Sequence, residues 1–292
     1  MTTFDYATFT GRNLGFVSED EQRRIREAHV FVSGVGGLGG SALMCLVRAG
    51  IGRITITDVN AFDLSNLNRQ MVATLDTIGE PKAETTAAAI AQINPECEVA
   101  IIGTDWVDQL DAVLPQATVV INGCDDQKAT IAMMRKAEEH KRTVVDSFSS
   151  PLPSVYVVHP HDPRPEVTFR YPSVGKSLDE IDDVMLATCF EKEVEYVMVH
   201  SSSADHLDLD VAAQVVAGKR ARPSFAPMVW TTGCLMAYEA LRVVLERPGG
   251  PGFHGTFFNP WTWQVERPRH PVVGAIRRFF IRRLFARLTN PS

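Results

Sequence analysis

Apolar residues in the first half of the chain alternate between short β-rich runs and longer helical stretches. The runs that predict strands are 28–33, 53–57, 97–102, 117–122 and 142–147. Helices are predicted after Gly34, from about Gly79 to the stop at Asn94-Pro95, near 106–113 and at 126–140. Because strands that alternate with helices form parallel sheets, we predict an α/β fold with a Rossmann-like, doubly wound, mostly parallel sheet.

The pattern is weaker beyond Ser147. It predicts a strand at 154–158, a long loop or crossover at 160–183, helices at 205–217 and 226–246, and a β segment at 255–265. Residues 184–190 are compatible with either a helix or a strand. We therefore expect a C-terminal α/β extension of the sheet.

The last segment, 267–292, has the pattern of a basic amphipathic helix. Large apolar residues recur at i, i+3 and i+4 from Val272 to Leu288, with arginines between them. After Glu266 the chain carries seven arginines and no acidic residue, although its net charge is −6, so the tail is basic and the preceding body acidic. Four partners stay open for the tail: an anionic lipid surface over 272–288, the acidic body, another subunit or nucleic acid.

Composition indicates an ordinary globular protein in a reducing compartment. A hydrophobic fraction of 45% and a charged fraction of 22% exclude a disordered chain. The five cysteines are widely spaced and include no C-x-x-C pair, which argues against a disulfide framework and a four-thiolate zinc site. Neither a secretory signal nor a membrane-spanning run is expected from the sequence. We predict a cytoplasmic location, with peripheral contact at the inner membrane surface as one alternative for the tail.

The glycine cluster at 34–40 predicts a nucleotide-binding loop. Gly34, Gly36 and Gly39 form G-x-G-x-x-G between a strand and a helix, where backbone amides can approach a phosphate. Asp58 ends the second strand and is placed to accept hydrogen bonds from ribose hydroxyls. These features do not separate a dinucleotide cofactor from ATP.

The residues that follow favour a triphosphate. Arg69 and Lys82 supply two fixed cations after the Asp58 strand, and Asp125 follows a later strand. Two cations suit a triphosphate, and a carboxylate at the end of a strand suits Mg²⁺. The chain has no G-x-x-x-x-G-K-[ST] motif, so a Walker-type NTPase is not supported.

The order and spacing of G-x-G-G-L-G, Asp58, N-L-x-R-Q, G-x-x-K, I-N-P and the strand-end Asp125 resemble the ubiquitin-activating-enzyme-like ThiF/MoeB/HesA family of adenylyltransferases. The resemblance covers about 12–147, and 224–240 is similar to a later helix of the family. It implies an adenylation domain over 1–266, with a nucleotide-binding half at about 12–147 and a crossover or acceptor half at about 148–266, before the tail at 267–292. It also implies ATP- and Mg²⁺-dependent activation of a carboxylate as an acyl adenylate by a homodimer.

The resemblance implies a role for each matching residue. The glycines lie against ATP, Asp58 holds the ribose, several side chains face the phosphates and one carboxylate takes Mg²⁺. The glycines are Gly34, Gly36, Gly37 and Gly39, the side chains that face the phosphates are Asn66, Arg69 and Lys82, and the carboxylate for Mg²⁺ is Asp125. Gln70 is grouped with the nucleotide-binding residues.

Two further residues enter through the resemblance. Arg12 is a candidate because family members supply an N-terminal arginine to the partner subunit's ATP. Cys189 is a candidate for the thiol that takes a thioester or delivers sulfur, with a buried structural thiol as the other interpretation. The structural zinc of the family is bound by two C-x-x-C pairs that this chain lacks, so we predict no zinc site.

Three function classes stay open. The leading one is the adenylyltransferase, whose acceptor is the C-terminus of a ubiquitin-like or sulfur-carrier protein, a peptide, a small molecule, or a modified tRNA as in threonylcarbamoyladenosine dehydratases. An NAD-dependent oxidoreductase would leave Arg69, Lys82 and Asp125 without a shared role. A catalytically silent binding module is the third, because the sequence around Arg12 and the acid at Asp126 depart from the family pattern.

Overall fold

The helices and strands follow the alternating pattern of the sequence. The computed structural model describes residues 3–216 and 219–289. The strands are β1 (His29–Ser33), β2 (Arg53–Thr57), β3 (Glu98–Ile102), β4 (Val119–Asn122), β5 (Val144–Asp146), β6 (Ser154–Val158), β7 (Thr256–Asn259) and β8 (Gln264–Glu266). The α-helices are α1 (Tyr6–Thr10), α2 (Glu19–Glu27), α3 (Gly37–Ala49), α4 (Lys82–Ala91), α5 (Leu110–Val113), α6 (Gln127–Glu139), α7 (Pro165–Thr168), α8 (Asp183–His200), α9 (Leu209–Val216), α10 (Ala226–Val244) and α11 (Pro271–Thr289).

The described strands form one sheet in the order β3-β2-β1-β4-β5-β6-β7-β8. The neighbours from β3 to β5 are parallel, and β6, β7 and β8 continue the sheet as antiparallel neighbours. The chain moves outward from β1 to β3 on one side and then returns to β4 on the other. This arrangement confirms the predicted doubly wound, mostly parallel sheet with a C-terminal extension.

Both faces of the sheet are covered by helices. In β1, Val30 and Val32 belong to a core with α3, α4 and α10, whereas Phe31 belongs to a second core with α5, α6 and α8. Successive side chains of a strand point to opposite faces, so a strand covered on both sides is apolar at almost every position. For that reason the parallel strands were recognisable as continuous apolar runs.

Helix α8 is the main element whose type the sequence left open. The structure makes residues 183–200 one helix, and Asp182 caps it by accepting a hydrogen bond from the Met185 backbone N–H at 2.8 Å. Cys189 and Tyr196 are buried in the second core, while Glu195 lies on another side. Because acidic residues stand among the apolar ones, no single periodicity identified this helix.

Several predicted boundaries were too wide. The helix predicted near 106–113 is reduced to α5, and the β segment at 255–265 is the β7–β8 hairpin. The helix predicted at 205–217 begins at Leu209, and its last predicted residue, 217, lies outside the described residues. The predicted loop at 160–183 contains only the single-turn α7 and one 3₁₀ turn, as its Pro-rich sequence indicated.

The tail forms the predicted helix, and part of it packs on the body. Ile281 of α11 packs with Met198 and Val199 of α8, and Arg278 and Arg282 form ion pairs with Glu195 at 3.0 and 2.8 Å. The predicted apolar and basic positions from 284 onward lie outside the side chains that the structure describes.

Another side of α11 is apolar and exposed. It carries Val272, Ile276, Phe279 and Phe280, which are 55–62% exposed. Among the described residues, no helix has the length and apolar content needed to cross a bilayer.

Candidate functional site

The glycine loop lies where the strand order reverses. β1 has β2 on one side and β4 on the other, so the connections that leave β1 and β4 run in opposite directions. Such a switch point opens a crevice at the carboxyl ends of parallel strands, where ligands of open α/β sheets bind. Gly34 follows β1 and Gly123 follows β4, which places both segments at this crevice.

Two glycines of the loop are required by backbone packing. Gly34 has a φ of +83°, and a Cβ there would lie 2.6 Å from the Gly123 carbonyl oxygen. A Cβ at Gly39 would lie 2.0 Å from the Gly34 carbonyl oxygen. Since real Cβ atoms do not approach so closely, these glycines allow the loop, α3 and the end of β4 to meet backbone to backbone.

The start of α3 presents unpaired amides. Gly36 is the N-cap residue and offers no side-chain acceptor, and the Gly40 N–H donates to the Gly36 carbonyl at 3.1 Å. The amides of the first turn therefore have no partner within the helix. Together with the positive end of the helix dipole they favour an anion.

Asp58 has a structural role that the sequence did not predict. Its Oδ2 accepts a hydrogen bond from the Val35 N–H and its Oδ1 from the Asn60 N–H, each at 3.0 Å. The carboxylate thus ties the glycine loop to the end of β2. Each oxygen retains a second lone pair, so the group can still accept hydrogen bonds from ribose hydroxyls.

Arg69 and Gln70 lie beside the glycine loop. The Arg69 guanidinium donates to the Ser65 carbonyl at 2.9 Å, and the Arg69 backbone carbonyl accepts a hydrogen bond from the Trp230 indole N–H at 2.8 Å. Gln70 is 6% exposed, and its Oε1 has no hydrogen-bond partner among the described residues. A Cβ on Gly36 would lie 3.5 Å from the Gln70 Nε2. A buried orphan acceptor beside the loop points to a polar ligand.

Lys82 is a buried cation at the first position of α4. The residue is 8% exposed, and its Nζ lies 6.0 Å from the ring centroid of Phe62. In the part of the chain that the structure describes, its ammonium makes no hydrogen bond and no carboxylate lies within 4.0 Å. An ammonium is costly to bury without a counter-charge, so this position fits an anionic ligand.

Asn66 serves the local turn. It is 7% exposed, and its Oδ1 accepts a hydrogen bond from the Asp63 N–H at 3.1 Å. Its Nδ2 donates weakly to the Ser65 hydroxyl at 3.4 Å. The side chain therefore shapes the segment that carries Arg69, and its contact with a phosphate stays a prediction.

Asp125 and Asp126 differ in their availability to a metal. The Asp126 carboxylate caps α6 by accepting from the Ala129 N–H at 2.9 Å. The Asp125 side chain is 85% exposed and lies 3.7 Å from the Arg222 guanidinium. Mg²⁺ in nucleotide sites takes one or two carboxylates together with substrate phosphates, and Asp125 fits that requirement.

Arg12 lies at the far end of α3 from the glycine loop. The neighbouring Asn13 donates to the carbonyl of Ala49, the last residue of α3, at 3.2 Å. The thirteen residues of α3 span about 20 Å, so the length of this helix separates Arg12 from Gly37. The guanidinium cannot reach the glycine loop of its own chain.

Cys189 lies in the second core and away from solvent. It is 0% exposed, and its Sγ is 3.9 Å from the Ser173 hydroxyl. Burial raises the pKa of this thiol, which disfavours the reactive thiolate. These surroundings match the alternative interpretation of a structural thiol and give no support to the thioester role.

A buried hydrogen-bond network beneath the site was not predicted. The Ser33 hydroxyl donates to the Asn122 Oδ1 at 2.9 Å, and the Asn122 Nδ2 donates to the Asp146 Oδ2 at 3.0 Å. The Tyr156 hydroxyl also donates to Asp146. Burial raises the pKa of Asp146 to about 6. A polar residue at the end of each apolar strand was the available signal, and the sequence did not show that these residues meet.

The comparisons with known proteins agree with the motifs. A family model described as ThiF family matches residues 10–275, which confirms the resemblance. The tRNA threonylcarbamoyladenosine dehydratase of Bacillus subtilis is 43% identical over 88 residues, covering 30% of this chain and 35% of the relative. The molybdopterin-synthase adenylyltransferase of Haemophilus influenzae is 24% identical over 237 residues, covering 80% of this chain and 81% of the relative. The matches to three dehydratases span 35%, 49% and 41% of their lengths.

Solved structures show the same fold. The crystal structure of the Escherichia coli dehydratase TcdA in complex with AMP aligns with a TM-score of 0.59 at 24% identity, covering 85% of this chain and 98% of that one. The E. coli MccB structure with ATP aligns with a TM-score of 0.60 at 17% identity, covering 86% and 67%.

Proposed function

The chain belongs to the ThiF family, and we propose that it is an ATP- and Mg²⁺-dependent adenylyltransferase that activates a carboxylate as an acyl adenylate. The observation that carries the proposal is Lys82, a residue only 8% exposed, whose ammonium has no carboxylate within 4.0 Å among the described residues and whose backbone N–H donates to the Asn60 carbonyl at 2.9 Å. Asn60 in turn is tied to Asp58, so the cation belongs to the segment that would hold the ribose. A phosphate chain supplies the missing anion.

The proposed chemistry needs positioning more than covalent help. One carboxylate oxygen of the acceptor attacks the α-phosphorus of ATP and forms the new P–O bond. The bond from that phosphorus to the α–β bridging oxygen breaks, and pyrophosphate leaves with the electron pair. The amides at the start of α3, with Arg69 and Lys82, would neutralise the phosphate charge, while Asp58 would fix the ribose.

Asp125 is the residue that would hold Mg²⁺. Its carboxylate is exposed at the carboxyl edge of the sheet next to Gly123, which contacts the glycine loop. The metal, when bound, would polarise the phosphoryl oxygens. The protein's own contribution is a carboxylate that, unlike that of Asp126, is not used as a helix cap.

We also propose a homodimer, because Arg12 can serve a nucleotide site only in another subunit. Two aromatic side chains of α10, Trp230 and Tyr238, are 42% and 71% exposed, and the Trp230 indole N–H donates to the Arg69 carbonyl. Phe16, close in sequence to Arg12, is 85% exposed. Exposed aromatic side chains of this size are typical of subunit interfaces.

The acceptor is proposed by chemical class, as a carboxylate. The names of the relatives point to two kinds of acceptor: a threonylcarbamoyladenosine in tRNA, from the dehydratases, and molybdopterin synthase, from the adenylyltransferases. Both substrates would be activated by the same first step. A peptide carboxylate remains a third acceptor to test.

Isotope exchange between pyrophosphate and ATP tests the first step. With fractionated cell extract as the source of acceptor, we expect exchange by the wild type and a loss of about 10²-fold in Lys82→Met or Arg69→Ala, the usual effect of removing a preorganised charge. Lys136→Met is the matched control, because Lys136 is paired with Asp111 and Glu139 on the surface. Exchange at the wild-type rate in both site variants would contradict the assignment.

For the tail we propose peripheral contact with an anionic membrane surface on a cytoplasmic protein. The supporting observation is the exposed apolar side of α11, where Val272, Ile276 and Phe279 share one face. Arginines flank this face, and apolar burial and attraction to anionic headgroups act together in such helices.

A further inference from the structure

Arg222 brings a third cation to the carboxyl edge of the sheet. It precedes α10, and its Nη2 lies 3.7 Å from the Asp125 Oδ2. Its Nη1 donates to the Ser149 hydroxyl at 3.4 Å, and its guanidinium carbon lies 5.5 Å from the ring centroid of Phe190. The sequence placed this residue in no motif, because the contact joins segments about 100 residues apart.

Polar and aromatic residues of two elements surround the Arg222 guanidinium. Glu193 of α8 accepts a hydrogen bond from the Ser149 N–H at 2.8 Å, which fixes the loop that follows β5. Ser147, in the same loop, has a buried hydroxyl with no partner among the described residues. Phe190 supplies an aromatic surface for the planar guanidinium. The loop, α8 and the segment before α10 thus converge on one point beside Asp125.

The contacts of Arg222 leave it available to a ligand. The Arg222 and Asp125 side chains are 49% and 85% exposed, and exposed ion pairs contribute about 0–1 kcal/mol. Within the described residues the Nε of Arg222 has no acceptor. A guanidinium with donors to spare suits a carboxylate, which it can bind through two parallel hydrogen bonds.

The proposed reaction requires such a group. It brings a carboxylate against a triphosphate, and the two anions repel each other. Arg69 and Lys82 are assigned to the phosphates, so neither is free to hold the acceptor. Arg222, 3.7 Å from Asp125, is the cation at this edge that the phosphates leave unassigned.

We propose that Arg222 forms the subsite for the acceptor carboxylate, with Ser149 and Phe190 holding the guanidinium in place. The inference rests on the proposed function and adds the residue that recognises the acid. The oxygen that Arg222 holds becomes the carbonyl oxygen of the acyl adenylate. It is common to every acceptor, whatever chain follows the carbonyl carbon.

The test compares two stable nucleoside probes by calorimetry: 5′-O-sulfamoyladenosine and 5′-O-(N-acetylsulfamoyl)adenosine, which differ by one acyl group. We expect the wild type to bind the acylated probe at least about tenfold more tightly, which corresponds to about 1.4 kcal/mol. Arg222→Met keeps an apolar stem over Phe190 and should lose this preference, while its affinities for ATP and for sulfamoyladenosine stay unchanged.

Arg220→Met is the matched control, because Arg220 is an exposed arginine two residues away in the same segment and should keep the preference. An acyl preference that survives in Arg222→Met, or a wild type that binds both probes equally, would overturn the subsite. A loss of ATP affinity in Arg222→Met would do the same by assigning the residue to the phosphates. Failure of the wild type to bind ATP and either probe would instead contradict the proposed adenylation.

Discussion

Basic residues occur both at the proposed nucleotide end of the sheet and in the C-terminal tail, but their surroundings differ. The nucleotide end comprises the glycine loop at 34–40 with Asp58, Arg69 and Lys82. At the nucleotide end, Lys82 is buried without a carboxylate within 4.0 Å in the described chain. In the tail, Arg278 and Arg282 share the Glu195 carboxylate, and the Arg277 guanidinium donates to the carbonyls at the end of α8. The paired arginines hold the tail helix against α8, whereas a cation of low exposure without a close carboxylate partner is a stronger indication of a ligand site.

The difference shows that the number of basic residues is a poor guide to function. The tail has seven arginines after Glu266, and its most distinctive exposed feature is apolar. Among the described residues, Lys82 and Arg69 of the other region have no carboxylate within 4.0 Å. Isolated positive charge therefore carries more information about ligands than the charge density of a segment.

The largest effect on stability and ATP binding is expected from a substitution in the glycine loop. Alanine at Gly39 would place a Cβ 2.0 Å from the Gly34 carbonyl oxygen, so the loop must separate from α3. We expect Gly39→Ala to lower the free energy of unfolding by about 3 kcal/mol and to abolish ATP binding, as overpacking against a rigid backbone does. Urea unfolding and calorimetry with ATP measure the two effects.

Gly274→Ala in the tail helix is the control. A Cβ there would lie 3.4 Å from the His200 ring and 3.7 Å from the Val199 side chain, both ordinary contacts, and alanine is a better helix former than glycine by about 1 kcal/mol. This variant should be as stable as the wild type or slightly more so. If Gly39→Ala were equally well tolerated, the backbone packing at the loop could not be as tight as described.

The nucleotide end could largely be predicted because its determinants are local. A strand, a glycine loop and a helix follow each other directly, so Gly34, Gly36 and Gly39 specify their own geometry. Asp58 ends the next strand, and parallel strands end at the same edge. Even here the hydrogen bond from the Val35 N–H to Asp58 was not foreseen, because it depends on how closely the loop folds back.

The features that were not predicted depend on distant parts of the chain. Arg222 meets Asp125 and Trp230 meets Arg69 only after α8 and α10 have packed against the sheet. The position of Asn122 beside Asp146 follows from the pairing of β4 with β5. A strand-end polar residue suggests an interaction but does not identify its partner, so these contacts required the structure.

The next effect in size is on the pH dependence of stability, and it should differ between two acidic residues of α8, Glu193 and Glu195. Glu193 faces the loop beside Arg222, and burial is the main cause that raises its pKa from 4.5 to about 7. A carboxyl with a raised folded-state pKa stabilises the fold below its unfolded pKa and loses that contribution as the pH rises through the folded value. Glu193 should therefore contribute a fall in wild-type stability of about 3 kcal/mol between pH 4.5 and 8, since a pKa shift of one unit corresponds to about 1.4 kcal/mol.

Glu193→Gln should remove this contribution and leave one of similar size from Asp146, whose pKa burial raises from 3.8 to about 6. Glu195→Gln is the matched control on the same helix, because Glu195 is paired with arginines of the tail. Thermal unfolding across the pH range compares the three proteins. An unchanged profile in Glu193→Gln would assign the pH dependence to other groups.

The smallest effect concerns the exposed side of the tail. Phe279 and Phe280 are 55% and 62% exposed, whereas Arg282 is held by Glu195. If the apolar side of α11 contacts a membrane, Phe279→Ser together with Phe280→Ser should reduce sedimentation with phosphatidylglycerol vesicles by about tenfold, which corresponds to partial loss of two buried rings. Arg282→Ala should matter less, since that charge already has a partner in the protein. Equal sedimentation of the double variant and the wild type would assign the apolar side to another partner. A larger loss in Arg282→Ala than in the double variant would mean that the ion pair with Glu195 opens at the lipid surface. The second result would contradict the idea that a charge paired within the fold is unavailable to a ligand.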